Sequence, residues 1–462
     1  MANVRFDYTN VLSSAVGEHG LTEVEIAQLE PSSRAGLAAV NARRTKDLRW
    51  LDLPYQHAVR AEIKAYAESV KGRFTSVCVL GIGGSALGIT ALHTALDGPY
   101  HNLLPPAGKP RLFVLDNIDP EWIGPFLETV DPARTLFNVI SKSGNTAETM
   151  SQFLILREKL IQKLGEKAHR EHIVVTTDEK KGVLREIVTR EGYRSFAVPD
   201  GVGGRFSVLS EVGLVSAALV GMDIEALHAG AAAMDERCRN PKLMENPALL
   251  HAAIQFLLHT KRAMPMAVMF SYSHRLRDVA DWYAQLLAES LGKKLSKKGK
   301  LVNKGPTPIR AVGVTDQHSQ VQLYAEGPHD KWFTLLTVGE PGVDVPIPEA
   351  YPDMEGVHYL GGRTLGELFR AEREGTRIAL TEAGRPNAMF TLDKVEAHTV
   401  GQLMYLLELS VAVMGEHYDI DAFDQPGVEA GKIAAYALMG RTGYEKRRAE
   451  IEAATRGAKR IL

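Results

Sequence analysis

Between residues 73 and 198, short β-branched runs alternate with longer stretches of helical period, and this alternation restricts the possible fold more than any other feature of the chain. The runs cover residues 76–80, 111–115, 135–140, 173–177 and 195–198, and the helical stretches between them include 85–96, 147–164 and 181–189. Strand alternating with helix predicts parallel strands joined by crossover helices that cover both faces of a sheet. Residues 207–220 are apolar almost all round and read as a helix buried between layers, followed by a long helical zone over 224–261. The rhythm resumes with strand-like runs at 266–270, 309–314, 333–338, 357–360 and 387–390, with helices over 277–291 and 399–413.

The expected fold class is therefore α/β, with two tandem doubly wound parallel-sheet domains and helical segments at either end. The boundaries are 1–47 for an N-terminal helical segment without a strand pattern, 48–222 and 223–424 for the two domains, and 425–462 for a helical tail broken near Gly440. The basic residues Lys446, Arg447, Arg448, Arg456, Lys459 and Arg460 near the C-terminus read as a solvated face.

Charge balance narrows the function. The 54 Lys and Arg residues meet 56 Asp and Glu residues, a formal charge of −2, which argues against binding to nucleic acid mainly through a general basic surface. Only Cys78 and Cys238 occur, too few for a disulfide framework or a four-cysteine zinc site. No basic run followed by an apolar core opens the chain, and no stretch approaches the ~18 uninterrupted apolar residues of a membrane span. The richest candidate, 248–258, is broken by His251 and Gln255. A soluble cytoplasmic protein with no membrane partner is the expectation.

Six motifs could carry chemistry. Gly81-Ile82-Gly83-Gly84-Ser85 follows a strand and opens a helix, where free N–H groups suit an anion. The same stretch fits a mere tight turn capped by Ser85, or a relaxed dinucleotide fingerprint (Gly81, Gly83, Ala86) with Asp116 as the ribose ligand. Ser141-Lys142-Ser143-Gly144-Asn145-Thr146 packs three hydroxyls, a glycine and an amide into six residues at a second strand–helix junction. A capping box from Asn145 to Glu148 explains one or two of those groups, whereas a cradle for a phosphate monoester explains them all. Arg205, in Gly203-Gly204-Arg205-Phe206-Ser207, is held by a flexible glycine run at the ligand-binding edge, or is an ordinary surface arginine.

On the helix 277–291, Glu289 falls beside Trp282 at the margin of the apolar stripe and in the last turn, where a negative charge opposes the helix dipole. It is either a half-buried general base with a pKa raised by desolvation, or a glutamate that snorkels to solvent. His318, in Asp316-Gln317-His318, could shuttle protons, although a chain with fifteen histidines has structural uses for most of them. Lys432, in Phe423-Asp424-Gln425-Pro426-Gly427-Val428-Glu429-Ala430-Gly431-Lys432, is expected on the apolar helix face with Val428 and Ala435, where it meets an anion or snorkels. Paired-histidine metal patterns, the Gly-Lys-Ser/Thr nucleotide loop and Gly-x-Ser-x-Gly do not occur.

Taken in order from about residue 76 to 440, these six motifs closely resemble those of the glucose-6-phosphate isomerase family. The resemblance implies domains of the sugar-isomerase (SIS) type, a homodimer, and interconversion of glucose 6-phosphate and fructose 6-phosphate without metal or organic cofactor. By position it implies that Ser85, Ser141, Lys142 through its backbone, Ser143 and Thr146 hold the phosphate, with Gly84 and Gly204 lining the substrate site. Glu289 would be the base between C1 and C2, and Arg205 the cation beside the developing enediolate. His318 from the partner subunit and Lys432 would assist ring opening, with Gln425 lining the site. Ser143-Gly144-Asn145 stands where many members carry Thr-Phe-Thr, which leaves open the phosphate contacts beyond Ser141 and Thr146. The competing readings are a non-catalytic sugar-phosphate sensor, a dehydrogenase built on Gly81 and Asp116, and an isomerase that also accepts mannose 6-phosphate.

Overall fold

Val77, Val79 and Leu80 surround Cys78 in a run with no polar face, as a strand covered on both sides requires, and all five residues of Ser76–Leu80 are buried. The structure, a computed structural model, describes residues 3–455. Its strands are β1 (Val4–Asp7), β2 (Ser76–Leu80), β3 (Arg111–Leu115), β4 (Thr135–Ser141), β5 (Ile173–Thr177), β6 (Arg194–Ala197), β7 (Met266–Tyr272), β8 (Lys293–Leu295), β9 (Leu301–Lys304), β10 (Thr307–Val312), β11 (Lys331–Val338) and β12 (Asn387–Leu392). One sheet has the order β3-β2-β4-β5-β6 and is wholly parallel. The other has the order β1-β12-β11-β7-β10, parallel except where β1 pairs antiparallel with β12. A short antiparallel ribbon, β8 with β9, stands apart.

Three expectations need correction and a fourth gains detail. Residues 1–47 are not purely helical: β1 extends the second sheet, and Phe6 stacks on Phe390 at 4.5 Å between ring centroids. A four-residue edge strand is too short to show a period, and its partner lies at the far end of the chain. Residues 357–360 carry no strand; Glu355–His358 is a single helical turn with Val357 and Tyr359 exposed, since no sheet edge is there to receive it. The zone 224–261 is two helices, Ile224–Cys238 and Pro247–Lys261. The Asn246 side chain accepts from the Ala248 and Leu249 N–H groups, with Pro247 in the first helical position. Finally, the stretch 248–258 is not the most membrane-like one. That is Ala397–His417, the one helix among the described residues long and apolar enough to span, and 89% of its apolar window is buried inside the protein.

That helix is the hub of the packing. It lies against Glu30–Ala42, Ile224–Cys238, Pro247–Lys261 and Arg277–Leu291, so its apolar surface is consumed on every side. At its centre Glu408 is fully buried, neither carboxyl oxygen has a partner, and burial pushes its pKa well up. Arg447 and Arg448 of the tail pair with Glu450 and Glu452, while Arg456, Lys459 and Arg460 lie outside the described residues.

The helix expected over 207–220 spans Glu211–Leu219, starting four residues later, and is capped by Ser210, whose side chain accepts from Val212 N–H. Burial, with a smaller push from Glu62, raises the Glu211 carboxyl to about 7 from an ordinary 4.5. Its stabilising contribution is therefore complete below about pH 4.5 and lost as pH rises through about 7. Glu211→Gln is expected to raise stability at pH 8 by roughly 2–3 kcal/mol and to change it little at pH 4.5. Urea melts at the two pH values check this; equal shifts at both would count against it.

Candidate active site

Strands β2 and β4 are neighbours, but the chain leaving β2 runs to β3 on one side and the chain leaving β4 runs to β5 on the other. A crevice opens where such connections diverge, at the carboxyl ends of the strands. The Gly81–Ser85 turn follows β2, the Ser141–Thr146 loop follows β4, and a cleft of about 910 Å³ lies between them. Its other wall comes from Gln285 and Glu289 of the helix Arg277–Leu291, and from Gln425 and Lys432 of the tail.

Hydroxyl chemistry dominates the β4 end. Ser141 Oγ lies 2.9 Å from Thr146 Oγ1 and accepts from Gly144 N–H at 3.1 Å, and Asn145 N–H donates to Ser143 Oγ at 3.3 Å. No capping box forms: Thr146 is the cap residue of Ala147–Leu164, and its side chain makes no capping bond. Ser85 does not cap either, because the helix Leu87–Leu96 starts beyond it with Ala86 in the cap position. The uncapped N-terminus of Ala147–Leu164 borders the cleft, with Ala147, Glu148 and Thr149 in its lining, and the N–H groups of a first helical turn favour an anion. Lys142 turns its ammonium to the Val202 carbonyl at 2.9 Å, and burial lowers its pKa.

The Gly81–Ser85 turn is clamped to the arginine motif. A Cβ on Gly84 would lie 2.2 Å from the Gly204 carbonyl, so only glycine permits this backbone contact. Arg205 is buried and fully engaged, not held loosely by its glycines. Its guanidinium donates to Ser290 Oγ (2.8 Å), Glu289 Oε2 (3.2 Å), Gln425 Oε1 (2.9 Å), and the carbonyls of Ala422 (2.6 Å) and Asp424 (3.1 Å). Burial lowers its pKa and Glu289 opposes that. Glu289, with its side chain 32% exposed, faces a cation instead of the apolar pocket the sequence suggests. Lys293, itself buried, closes the helix end by donating to the Glu289 carbonyl at 2.8 Å and pairing with Asp424.

The sequence model of the family described as phosphoglucose isomerase matches residues 54–329 and 376–458. The chain belongs to that family.

Among relatives of this phosphoglucose isomerase family chain is the glucose-6-phosphate isomerase of Carboxydothermus hydrogenoformans, 47% identical over 97% of both chains. That of Rubrobacter xylanophilus is 46% identical over 96% of this chain and 100% of its own. Among solved structures, a hypothetical protein of Thermus thermophilus superposes with a TM-score of 0.84 at 39% identity, covering 95% of this chain and all of that one. The Chlamydia trachomatis glucose-6-phosphate isomerase gives 0.82 at 22% identity, covering 98% and 92%, which bears on the fold alone.

For this phosphoglucose isomerase family chain, the structure brings Gly84, Ser85, Ser141, Lys142, Ser143, Thr146, Gly204, Arg205, Glu289, Gln425 and Lys432 into one cleft. His318, which the resemblance assigns to the partner's site, and Asp116, from the competing dinucleotide reading, are not in it. His318 sits exposed on the turn Thr315–His318 and does not line the cleft of its own chain. Asp316 folds that turn by accepting from Val312 N–H and the Ser319 hydroxyl, both at 2.7 Å. Asp116 also lies outside, which removes the support for a dinucleotide site. Lys432 lines the cleft but on an open face, its side chain 52% exposed and paired with Glu429 at 2.9 Å. The reason is tertiary: Glu429–Leu438 packs chiefly on the other tail helix, Glu445–Thr455, so the face shared with Val428 and Ala435 meets the cleft instead of a core. Tyr436 of this helix donates to the Asn145 carbonyl at 3.3 Å, tying the tail to the hydroxyl loop.

Gln285 is the clearest residue missed by sequence reasoning. It lies one turn before Glu289, and its Oε1 is buried without a partner. The i−4 spacing from Glu289 is the signal that could have found it.

Gly84→Ala should force the Gly204 backbone away, destabilising the protein by roughly 1–3 kcal/mol and lowering activity at least about tenfold. A thermal melt with an activity assay checks this, and a variant normal in both would refute the clamp.

Proposed function

We propose that this chain interconverts glucose 6-phosphate and fructose 6-phosphate, moving a proton between C1 and C2 through a cis-enediolate. The observation that carries the reading is the Arg205–Glu289 pair, 3.2 Å apart, facing across one cleft from a loop of three hydroxyls. The names of the relatives, glucose-6-phosphate isomerases at 46–47% identity over nearly the whole chain, agree with it.

Abstracting a proton next to a carbonyl needs a positioned base, and Glu289 is offered for it. The oxygen that gains charge needs a preorganised cation, the part given to Arg205. A remote phosphate lets binding energy orient the reacting carbons. Ser85, Ser141, Ser143, Thr146 and the Lys142 main chain are the proposed phosphate contacts, with Gly84 and Gly204 bounding the site. Lys432 and the partner subunit's His318 would open the ring, with Gln425 and Gln285 presenting amides to sugar hydroxyls. A homodimer is part of the proposal. Its support is an exposed His318 with no place in its own cleft, and the exposed apolar side chains Val343, Tyr351 and Tyr359 of the segment 339–364. A cytoplasmic place in glycolysis and gluconeogenesis follows from the same reading.

A coupled assay of fructose 6-phosphate to glucose 6-phosphate, run with EDTA and with mannose 6-phosphate in parallel, tests the activity; no turnover would reject it. Glu289→Gln is expected to lower kcat by about 10²–10⁴-fold with phosphate inhibition retained, and near-normal turnover would remove Glu289 as the base. Mixing Glu289→Gln and His318→Ala subunits by refolding should restore part of the activity, because one wild-type site re-forms in each heterodimer. No recovery would argue that His318 does not cross between subunits.

A further inference from the structure

A sugar phosphate carries a charge of about −1.5 to −2 at pH 7, and hydroxyls and amides alone do not neutralise it. Four cations line the cleft, Lys142, Lys181, Arg205 and Lys432. Three of them are engaged. Arg205 is paired with Glu289, Lys432 with Glu429, and the Lys142 ammonium is turned to the Val202 carbonyl, with the charges of Asp200 and Asp178 also acting on it. Lys181 is different. Among the described residues its ammonium has no ion pair within 4 Å and no hydrogen bond, although its charge helps hold the Asp178 carboxyl below its ordinary pKa; its side chain is exposed and lines the cleft.

The backbone holds this lysine in place. The Asp178 carboxylate, just beyond β5, accepts from the N–H groups of Lys180 (2.9 Å) and Lys181 (3.0 Å), and Arg185 donates to the Asp178 carbonyl at 2.7 Å. The loop so shaped is packed against the hydroxyl loop: a Cβ on Gly144 would lie 2.6 Å from Leu184 N, and one on Gly182 2.6 Å from the Ser143 carbonyl oxygen. Asp178, Asp200, Glu148 and Glu289 are the acids that share the cleft. Asp178 is committed to its two N–H donors, and Glu289 to Arg205.

We propose that Lys181 is a further substrate-binding residue, whose ammonium neutralises the phosphate dianion held by the Ser141–Thr146 loop. The proposal rests on the reading of that loop as the phosphate site. It assigns the hydroxyl loop the geometry of recognition and Lys181 the charge.

The test uses the full-length enzyme, with fructose 6-phosphate as substrate and inorganic phosphate as the competing anion. Lys181→Gln is expected to raise both the KM and the inhibition constant of phosphate by about tenfold, with a smaller change in kcat and a weaker dependence of kcat/KM on salt. Lys181→Arg should recover most of the loss. Ser141→Ala, measured alongside, separates the two readings. A raised phosphate constant in Ser141→Ala with no change in Lys181→Gln overturns the role of Lys181 alone. No change in either variant overturns the phosphate loop, and this proposal with it.

Discussion

The Arg205 guanidinium joins three parts of the chain that the sequence keeps far apart. It follows β6 of the first sheet, pairs with Glu289 and Ser290 at the end of a helix that packs beside the second sheet, and captures the Ala422, Asp424 and Gln425 segment that leads into the tail. A buried charge is tolerable only when its donors are satisfied and an opposite charge is near. Each of those partners is therefore constrained by the same cation. Lys293 repeats the arrangement one turn away, holding the Glu289 carbonyl and Asp424 together. The site wall is thus a by-product of satisfying two buried cations.

The opposite wall depends on sheet topology. Because connections diverge between β2 and β4, two turns end side by side, and the Gly84–Gly204 contact locks one of them to the arginine motif. Neither turn caps its helix with a side chain, and the first turn of Ala147–Leu164 lines the cleft. The hydroxyls of Ser141 and Thr146 bond to one another instead, which presets their positions before any anion arrives. The arrangement divides labour between a rigid anion-binding end and a carboxylate–guanidinium end.

Elements with a strong period were legible from residues alone. The strands Ser76–Leu80, Arg111–Leu115 and Ile173–Thr177 and the helices Ala147–Leu164 and Arg277–Leu291 carry their own pattern, because burial on both faces or along one stripe dictates each side chain. The edge strand Val4–Asp7 and the ribbon Lys293–Leu295 with Leu301–Lys304 did not, because short edge elements owe their form to a partner and not to a period. Residues 357–360, Val-His-Tyr-Leu, show the converse: a strand-like run that ends a helical turn and pairs with no strand.

The motifs by themselves determined which groups could do chemistry: hydroxyls after one strand, glycines after another, and a carboxylate, an arginine and a lysine at places where stability argued against them. Tertiary structure decided which of these share a cavity, and in what state. It buried Arg205 and gave it Glu289, left Lys432 in the open, brought Gln285 and Lys181 into the lining, and placed Asp116 and this chain's own His318 outside it. The reason is that residue type and spacing encode local burial, whereas charge pairing and cavity membership depend on distances across the fold that no local pattern records.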